Sequence, residues 1–339
     1  MFPACEGEES EKENHRERNE RRSRMKLPTF VINADLFSPW SLGADHPTQG
    51  RRYSNAKKFF AQEAKDRGVE LTVVEPRMAT QEELLRVHAP KFISDVTEKY
   101  LRFNSFDSDK DQAEIAAMMA GATVQMLEVL LEKKTLTAIN FAGAKHHGQY
   151  DTASGFCVFS DPALAADIAT KGHGMKVAIF DFDGHHGDGT ENLCADNPNI
   201  LTYSVHHYGI FPGTGSRNNP AKHVYNHPLT NGSGDSDLLI ATDEFIQLAQ
   251  EFGADLIFVA AGADGHISDP LTGLEYSVEG YVEVARKIRR TFPTAPFLIG
   301  GAGGYQPDDY TPEIWAKFST EIAAGAKTPP ISITKKGKI

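Results

Sequence analysis

Two hydrophobic rhythms alternate along the chain. Short, nearly continuous apolar runs recur at TFVINA (29–34), LTVVEP (71–76), LTAINF (136–141), KVAIFDF (176–182), ILTYSV (200–205), DLIFVAA (255–261) and PFLIGG (296–301). They are rich in Val, Ile and Phe and too short for helices, so they predict parallel strands buried on both faces. Between them lie helical patterns, such as EIAAMMAGATVQMLEVLLEK (114–133) and ATDEFIQLAQEFG (241–253). Strands alternating with helices imply an open parallel α/β sheet covered on both sides. The 339 residues suit one large α/β domain or two ordinary ones. No internal repeat and no Pro/Gly/Ser linker divides them.

The rhythm is missing from the N-terminus. Residues 6–24, EGEESEKENHRERNERRSR, are almost entirely charged or polar. Such a segment has no face to bury, so 1–25 is expected to be a disordered or loosely helical tail. The foldable pattern, MKLPTF onwards, marks 26–339 as the domain.

Composition narrows the picture in three ways. The net charge of −11 should repel nucleic acid and favour a cationic substrate. Cys5, Cys157 and Cys194 form no CxxC pair, which points to a reducing compartment without disulfides. No apolar run approaches about 18 residues, and no apolar leader segment is visible. The expected location is therefore the cytoplasm, away from membranes.

The chemistry gathers at the ends of the predicted strands, where α/β sheets bind ligands. Asp181 and Asp183 close one strand, Ser204 and His206 another, and Asp264 and Tyr305 follow two more. Asp183 and His185, two apart on a strand end, would point the same way. With Asp264 they offer two carboxylates and an imidazole, a donor set suited to zinc and also to iron(II) or manganese. Alone, this spacing equally fits a polar strand end with a capping aspartate. His146 and His147 are adjacent, as in many solvated loops, but Asp181 and Asp188 are available to stand behind them. A carboxylate behind an imidazole fixes its tautomer and raises its basicity. Tyr305 follows the glycine run GGAGGY (300–305) and could donate to a developing oxyanion. That run lacks the GK[ST] ending of a phosphate loop. These are the parts of a hydrolytic metal site: three protein ligands, a base and an oxyanion donor.

The motifs HH (146–147), GFC (155–157), DFDGHHGDGT (181–190), FPGTG (211–215), GAD with DPL (262–271) and GGAGGY resemble, in order and spacing, the histone deacetylase family. That family includes acetylpolyamine amidohydrolases and acetoin-utilisation proteins. The resemblance runs from about residue 30 to about 325. It implies an arginase-like single domain with an eight-stranded parallel sheet and a zinc-dependent amidohydrolase site. By motif, Asp183, His185 and Asp264 match the zinc ligands, His147 the general base and His146 its charge-stabilising partner. Asp181 and Asp188 match the carboxylates behind them, and Tyr305 the transition-state phenol. Gly155 and Phe156, with Phe211, match the walls of an acyl-lysine tunnel. Asp181, Asp183, His185, Ser204 and Val205 match a potassium site, and Arg52 an arginine near the foot of the pocket. The chain departs from the family at FAGAKHH (141–147), where an Arg-Pro-Pro-Gly type of run is usual, and His266 has no matching role.

The implied substrate is acetyl-lysine in a protein or peptide, with a small acetylated amine as the alternative. Leu271 stands where polyamine-selective relatives carry a glutamate, and FNSFDSDKDQ (103–112) is short. Both favour lysine. A two-manganese ureohydrolase shares the implied fold but would need a second aspartate where His266 stands. A non-catalytic scaffold would not require the whole constellation.

Overall fold

The computed structural model describes residues 27–43, 45–101 and 109–327. The tail expected at 1–25 and most of 103–112 lie outside these residues. Eight strands form one sheet: β1 (Thr29–Ile32), β2 (Leu71–Val74), β3 (Thr137–Asn140), β4 (Val177–Asp181), β5 (Ile200–His207), β6 (Val224–Leu229), β7 (Leu256–Ala260) and β8 (Phe297–Gly300). Their spatial order is β2-β1-β3-β8-β7-β4-β5-β6, and every adjacent pair is parallel. This is the arginase-like α/β architecture. Every residue of β3, β4, β7 and β8 is buried, which is why these strands read as unbroken apolar runs.

Sequence patterning missed β6. Its residues VYNHPL include a histidine and a proline and alternate in burial. A proline is tolerated there because β6 is an edge strand.

Five long helices cover the sheet: α1 (Arg51–Asp66), α2 (Lys110–Leu131), α3 (Asp235–Phe252), α4 (Val278–Thr291) and α5 (Tyr310–Ala324). Two begin earlier than their apolar patterns. α2 starts at an Asp109 cap whose side chain accepts from the Gln112 amide, a stop-start signal independent of hydrophobicity. α3 starts after Gly234 and ends at Gly253. By length and mean hydropathy α2 could cross a membrane, but two-thirds of its apolar window (67%) is buried within the protein. Trp315 of α5 anchors one face: it stacks on Tyr53 and Phe141 and donates Nε1–H to the Ala261 carbonyl at 2.8 Å. Truncating such a buried aromatic typically costs about 3–5 kcal/mol.

Strand register sets the position of the site. Asn140 is level with Gly300, Gly300 with Ala260, Ala260 with Asp181, and Asp181 with Ser204. Four strand ends and the middle of β5 thus form one rim, and the segments leaving it hold the predicted chemistry.

Candidate active site

The turn after β4 carries Asp183 and His185. Because β4 ends at Asp181, strand pleat is not what aligns these two side chains. A hydrogen-bonded turn does so, with the His185 amide donating to Asp183 Oδ1 at 2.9 Å. Asp264 enters from the loop after β7. His185 Nδ1 lies 2.8 Å from Asp264 Oδ2 and 3.3 Å from Asp183 Oδ1. The remaining carboxylate oxygens are fixed by backbone: Gly303 donates to Asp183 Oδ2 at 2.6 Å and Gly184 to Asp264 Oδ1 at 2.7 Å. A Cβ at Gly303 would fall 2.5–2.6 Å from these two carboxylates, so the glycine run is what lets the backbone approach them.

Donor atoms of Asp183, His185 and Asp264 lie within 4.8 Å of one another, and all three residues are buried. Among the described residues they are the one such group of three or more. Their electrostatics call for a cation. Burial would lower the pKa of His185, but hydrogen bonds to Asp183 and Asp264 hold it up at about 10. Burial and the charge of Asp183 push Asp264 upward. Asp183 is held well below the carboxylate range: burial opposes this, but His146 and His185 override it. Two buried carboxylates and one imidazole nitrogen, backed by amides on their outer oxygens, fit a divalent transition metal.

Beside this triad the loop after β3 presents the histidine pair, with ring centroids 4.0 Å apart. His146 Nδ1 meets Asp181 Oδ2 at 2.7 Å, and His147 Nδ1 meets Asp188 Oδ1 at 2.6 Å. Gln149 donates to the other Asp188 oxygen at 2.8 Å. The environments drive the rings apart. Burial lowers both, but Asp181 and Asp183 lift His146 to about 9, while burial and the neighbouring His146 charge hold His147 at about 4. The surroundings thus bias His146 towards the cation and His147 towards a neutral acceptor.

The pocket above is lined by His147, Gly155, Phe156, His185, Ile210, Phe211, Leu271 and Tyr305, with room for about 380 Å³. Phe211 lies 5.0 Å from the His147 ring and Phe156 6.1 Å from the Tyr305 ring, centroid to centroid. His46 packs edge-on against the outer side of Phe156 at 4.5 Å. Burial pushes the Tyr305 phenol well above its ordinary value, so it stays a donor.

Three supporting residues escaped the sequence reading. Asp269 accepts the Tyr305 amide at 2.8 Å and the Leu271 amide at 3.0 Å, joining two walls of the pocket. Asp161 accepts the amides of Ala144 and Lys145 and so fixes the approach to the histidine pair. Lys145 itself is buried, with its ammonium on the Tyr53 hydroxyl. Sequence offered a hint for Asp269, which lies in the DPL motif, and for Lys145, which lies in the departing run FAGAKHH, but none for Asp161. Arg52 is buried and donates to the Gly304 carbonyl at 2.6 Å, next to Tyr305. His266 stacks on Tyr310 at 4.2 Å and contacts Ser268 Oγ at 2.8 Å. Of the residues matched to a potassium site, Asp181 and Ser204 are register partners across β4 and β5. Val205 is the next residue along β5. Cys157 and Cys194 are buried and free.

The family model of the histone deacetylase domain matches residues 46–322. Acetoin utilization protein AcuC of Bacillus subtilis is 30% identical over 292 residues, covering 78% of this chain and 75% of that protein. A probable deacetylase of Archaeoglobus fulgidus is 28% identical over 280 residues, covering 77% and 76%. The crystal structure of the HDA15 HD domain superposes with a TM-score of 0.78 at 24% identity, covering 89% of this chain and 90% of that one. With the domain match spanning most of its length, the chain belongs to the histone deacetylase family.

Proposed function

We propose that this protein is a zinc-dependent deacetylase acting on acetyl-lysine in proteins or peptides. One observation carries the reading. The Asp183–His185–Asp264 group, the two carboxylate-backed histidines and Tyr305 converge at the base of one apolar pocket. Zinc held by that group would supply Lewis-acid polarisation of the amide carbonyl and lower the pKa of the attacking water; iron(II) suits the same donors.

The chain's own residues supply the rest. Neutral His147, its Nδ1 held by Asp188, presents Nε2 to take the proton of the attacking water. His146, its Nδ1 held by Asp181, stabilises negative charge as it builds. Tyr305 donates a hydrogen bond to the developing oxyanion and keeps its proton, and protonated His147 then returns its proton to the leaving amine as the C–N bond breaks. Phe156, Phe211 and Leu271 give an aliphatic lysine stem apolar walls and exclude water. Near Asp181, the potassium matched to Ser204 and Val205 would be a second, structural cation. A two-manganese ureohydrolase is disfavoured, because a single ligand group converges among the described residues.

The deciding experiment compares an acetyl-lysine peptide with acetylspermidine, with metal measured on the same sample. The expected outcome is one transition metal per chain and a higher kcat/KM for the peptide. Tyr305→Phe should keep the metal and lose about 10²–10³ in kcat. A Phe variant with near-normal kcat would remove Tyr305 from the mechanism, and a preference for acetylspermidine would reverse the substrate assignment.

A further inference from the structure

Beneath the pocket the chain buries two cations side by side. Arg52 is 3% exposed and Lys145 5%. Among the described residues neither head group has a carboxylate within ion-pair distance. Asp161, which accepts the Lys145 amide, is taken up by that amide, the Ala144 amide and the Thr123 hydroxyl. The two cations share one oxygen instead: Arg52 Nη2 donates to the Tyr53 hydroxyl at 2.8 Å and Lys145 Nζ donates to it at 3.0 Å. Arg52 Nε is buried with no partner.

Counting protons exposes a conflict. A phenol has one O–H donor and two lone pairs. Both lone pairs of Tyr53 are occupied by charged donors, and among the described residues nothing accepts its own proton. The surroundings are apolar: Tyr53 is fully buried, stacked on Trp315 at 6.0 Å and edge-on to Phe37 at 6.3 Å. A neutral phenol would leave a buried O–H unsatisfied and two buried charges uncompensated, both unfavourable. Losing one proton from the trio removes both problems. That proton can leave the phenol or the lysine, and the two forms have the same net charge. The guanidinium decides between them. It does not deprotonate, and its charged N–H on the oxygen stabilises the anion more strongly than it does a neutral phenol.

We propose that Tyr53 stands as a phenolate at neutral pH, the shared counter-anion of Arg52 and Lys145, and that through them it positions both arms of the catalytic site. Lys145 is the residue before His146. Arg52 holds the carbonyl of Gly304, the residue before Tyr305, at 2.6 Å. One anion therefore ties the histidine pair to the tyrosine from below. The electrostatics agree: burial would raise the Tyr53 pKa, but Arg52 and Lys145 together bring it below the ordinary value. Among the described residues, Arg52 and Lys145 are the charged groups bonded to the oxygen, while α5 and the segment before α1 present Trp315 and Phe37 to the ring. The assignment of a positioning role rests on the function proposed above; the charge state of Tyr53 does not.

The test is near-ultraviolet difference spectroscopy on the metal-loaded protein at pH 7. Folded minus denatured protein should show the phenolate band of one tyrosine out of the ten in the chain. Tyr53→Phe should abolish that band, and Lys145→Gln should move its appearance to alkaline pH. Tyr53→Phe should also lower kcat about tenfold with KM and metal content nearly unchanged. Absence of a phenolate band in the folded wild-type protein would overturn the charge assignment. That measurement needs no variant to fold and no substrate to turn over. A band that is present, with full kcat retained in Tyr53→Phe, would overturn the positioning role.

Discussion

Gly155 offers a demanding test of where the base sits. It occupies the left-handed region at φ +51, directly against the His147 ring. A Cβ added there would lie 2.2 Å from His147 Cδ2 and 2.5 Å from Cγ, whereas ordinary contact begins at 3.4 Å. The ring cannot simply slide away. Asp188 holds its Nδ1 at 2.6 Å, and the His146 ring packs at 4.0 Å. Gly155→Ala must therefore displace the imidazole by about 1 Å, and a misplacement of that size can cost about 10² in rate. The left-handed backbone adds about 1–2 kcal/mol of strain for a residue with a Cβ, enough to lower Tm by several degrees without unfolding the domain. The metal ligands are not touched, so metal content should stay at the wild-type level. Steady-state kinetics on an acetyl-lysine peptide, thermal melting and metal analysis on one preparation make the assay. Turnover within about threefold of wild type would show that His147 is not the base.

Other perturbations separate the remaining parts of the account. Asp264→Ala should lose most bound metal and activity with unchanged circular dichroism; retention of one metal per chain at wild-type affinity would refute the ligand set. Leu271→Glu should shift the kcat/KM ratio towards acetylspermidine by about tenfold, roughly 1.4 kcal/mol, by placing a carboxylate near the distal ammonium. His88 donates Nδ1–H to the Gln149 carbonyl and accepts the Ser160 amide on Nε2, so it must be neutral, and burial lowers it to about 4. Its unfolded form takes up a proton near pH 6.5, so stability is full above that pH and falls by roughly 3 kcal/mol as pH drops to about 4. Urea titrations should show this slope in the wild type and lose it in His88→Gln. Arg289 is buried and donates to the carbonyls of Ile322, Phe292, Ala295 and Leu136. Arg289→Met should destabilise by about 3 kcal/mol while kcat/KM of the folded fraction is unchanged.

The central strands were legible in the sequence because burial on both faces leaves an unbroken apolar signature. β6 was not, since an edge strand can carry His227 and Pro228, and the pattern dissolves. The candidate site was legible to the extent that its residues cluster in short motifs at strand ends. Asp269 and Asp161 escaped because their work is to accept backbone amides, which places no demand on neighbouring residue types. Lys145 was visible only as a departure from the family pattern. Nothing local marks the partnership of Tyr53 and Lys145, 92 residues apart in sequence, because only the packing of α1 beneath the β3 loop brings them together. His266, without a role in the sequence reading, faces Tyr310 and Ser268.

The position of β8 has a consequence for how the protein comes into being. The last strand in sequence lies in the middle of the sheet, paired with β3 on one side and β7 on the other. Until it is made, β2-β1-β3 and β7-β4-β5-β6 share no ladder. A growing chain therefore carries two separate half-sheets, each with an open edge able to pair wrongly. Asp183, His185 and Asp264 are all synthesised before the strand that brings the histidine pair to them. The donor set lies on adjacent β4 and β7, within one half-sheet, but the histidine pair on the β3 loop and Tyr305 reach it only when β8 joins the two halves.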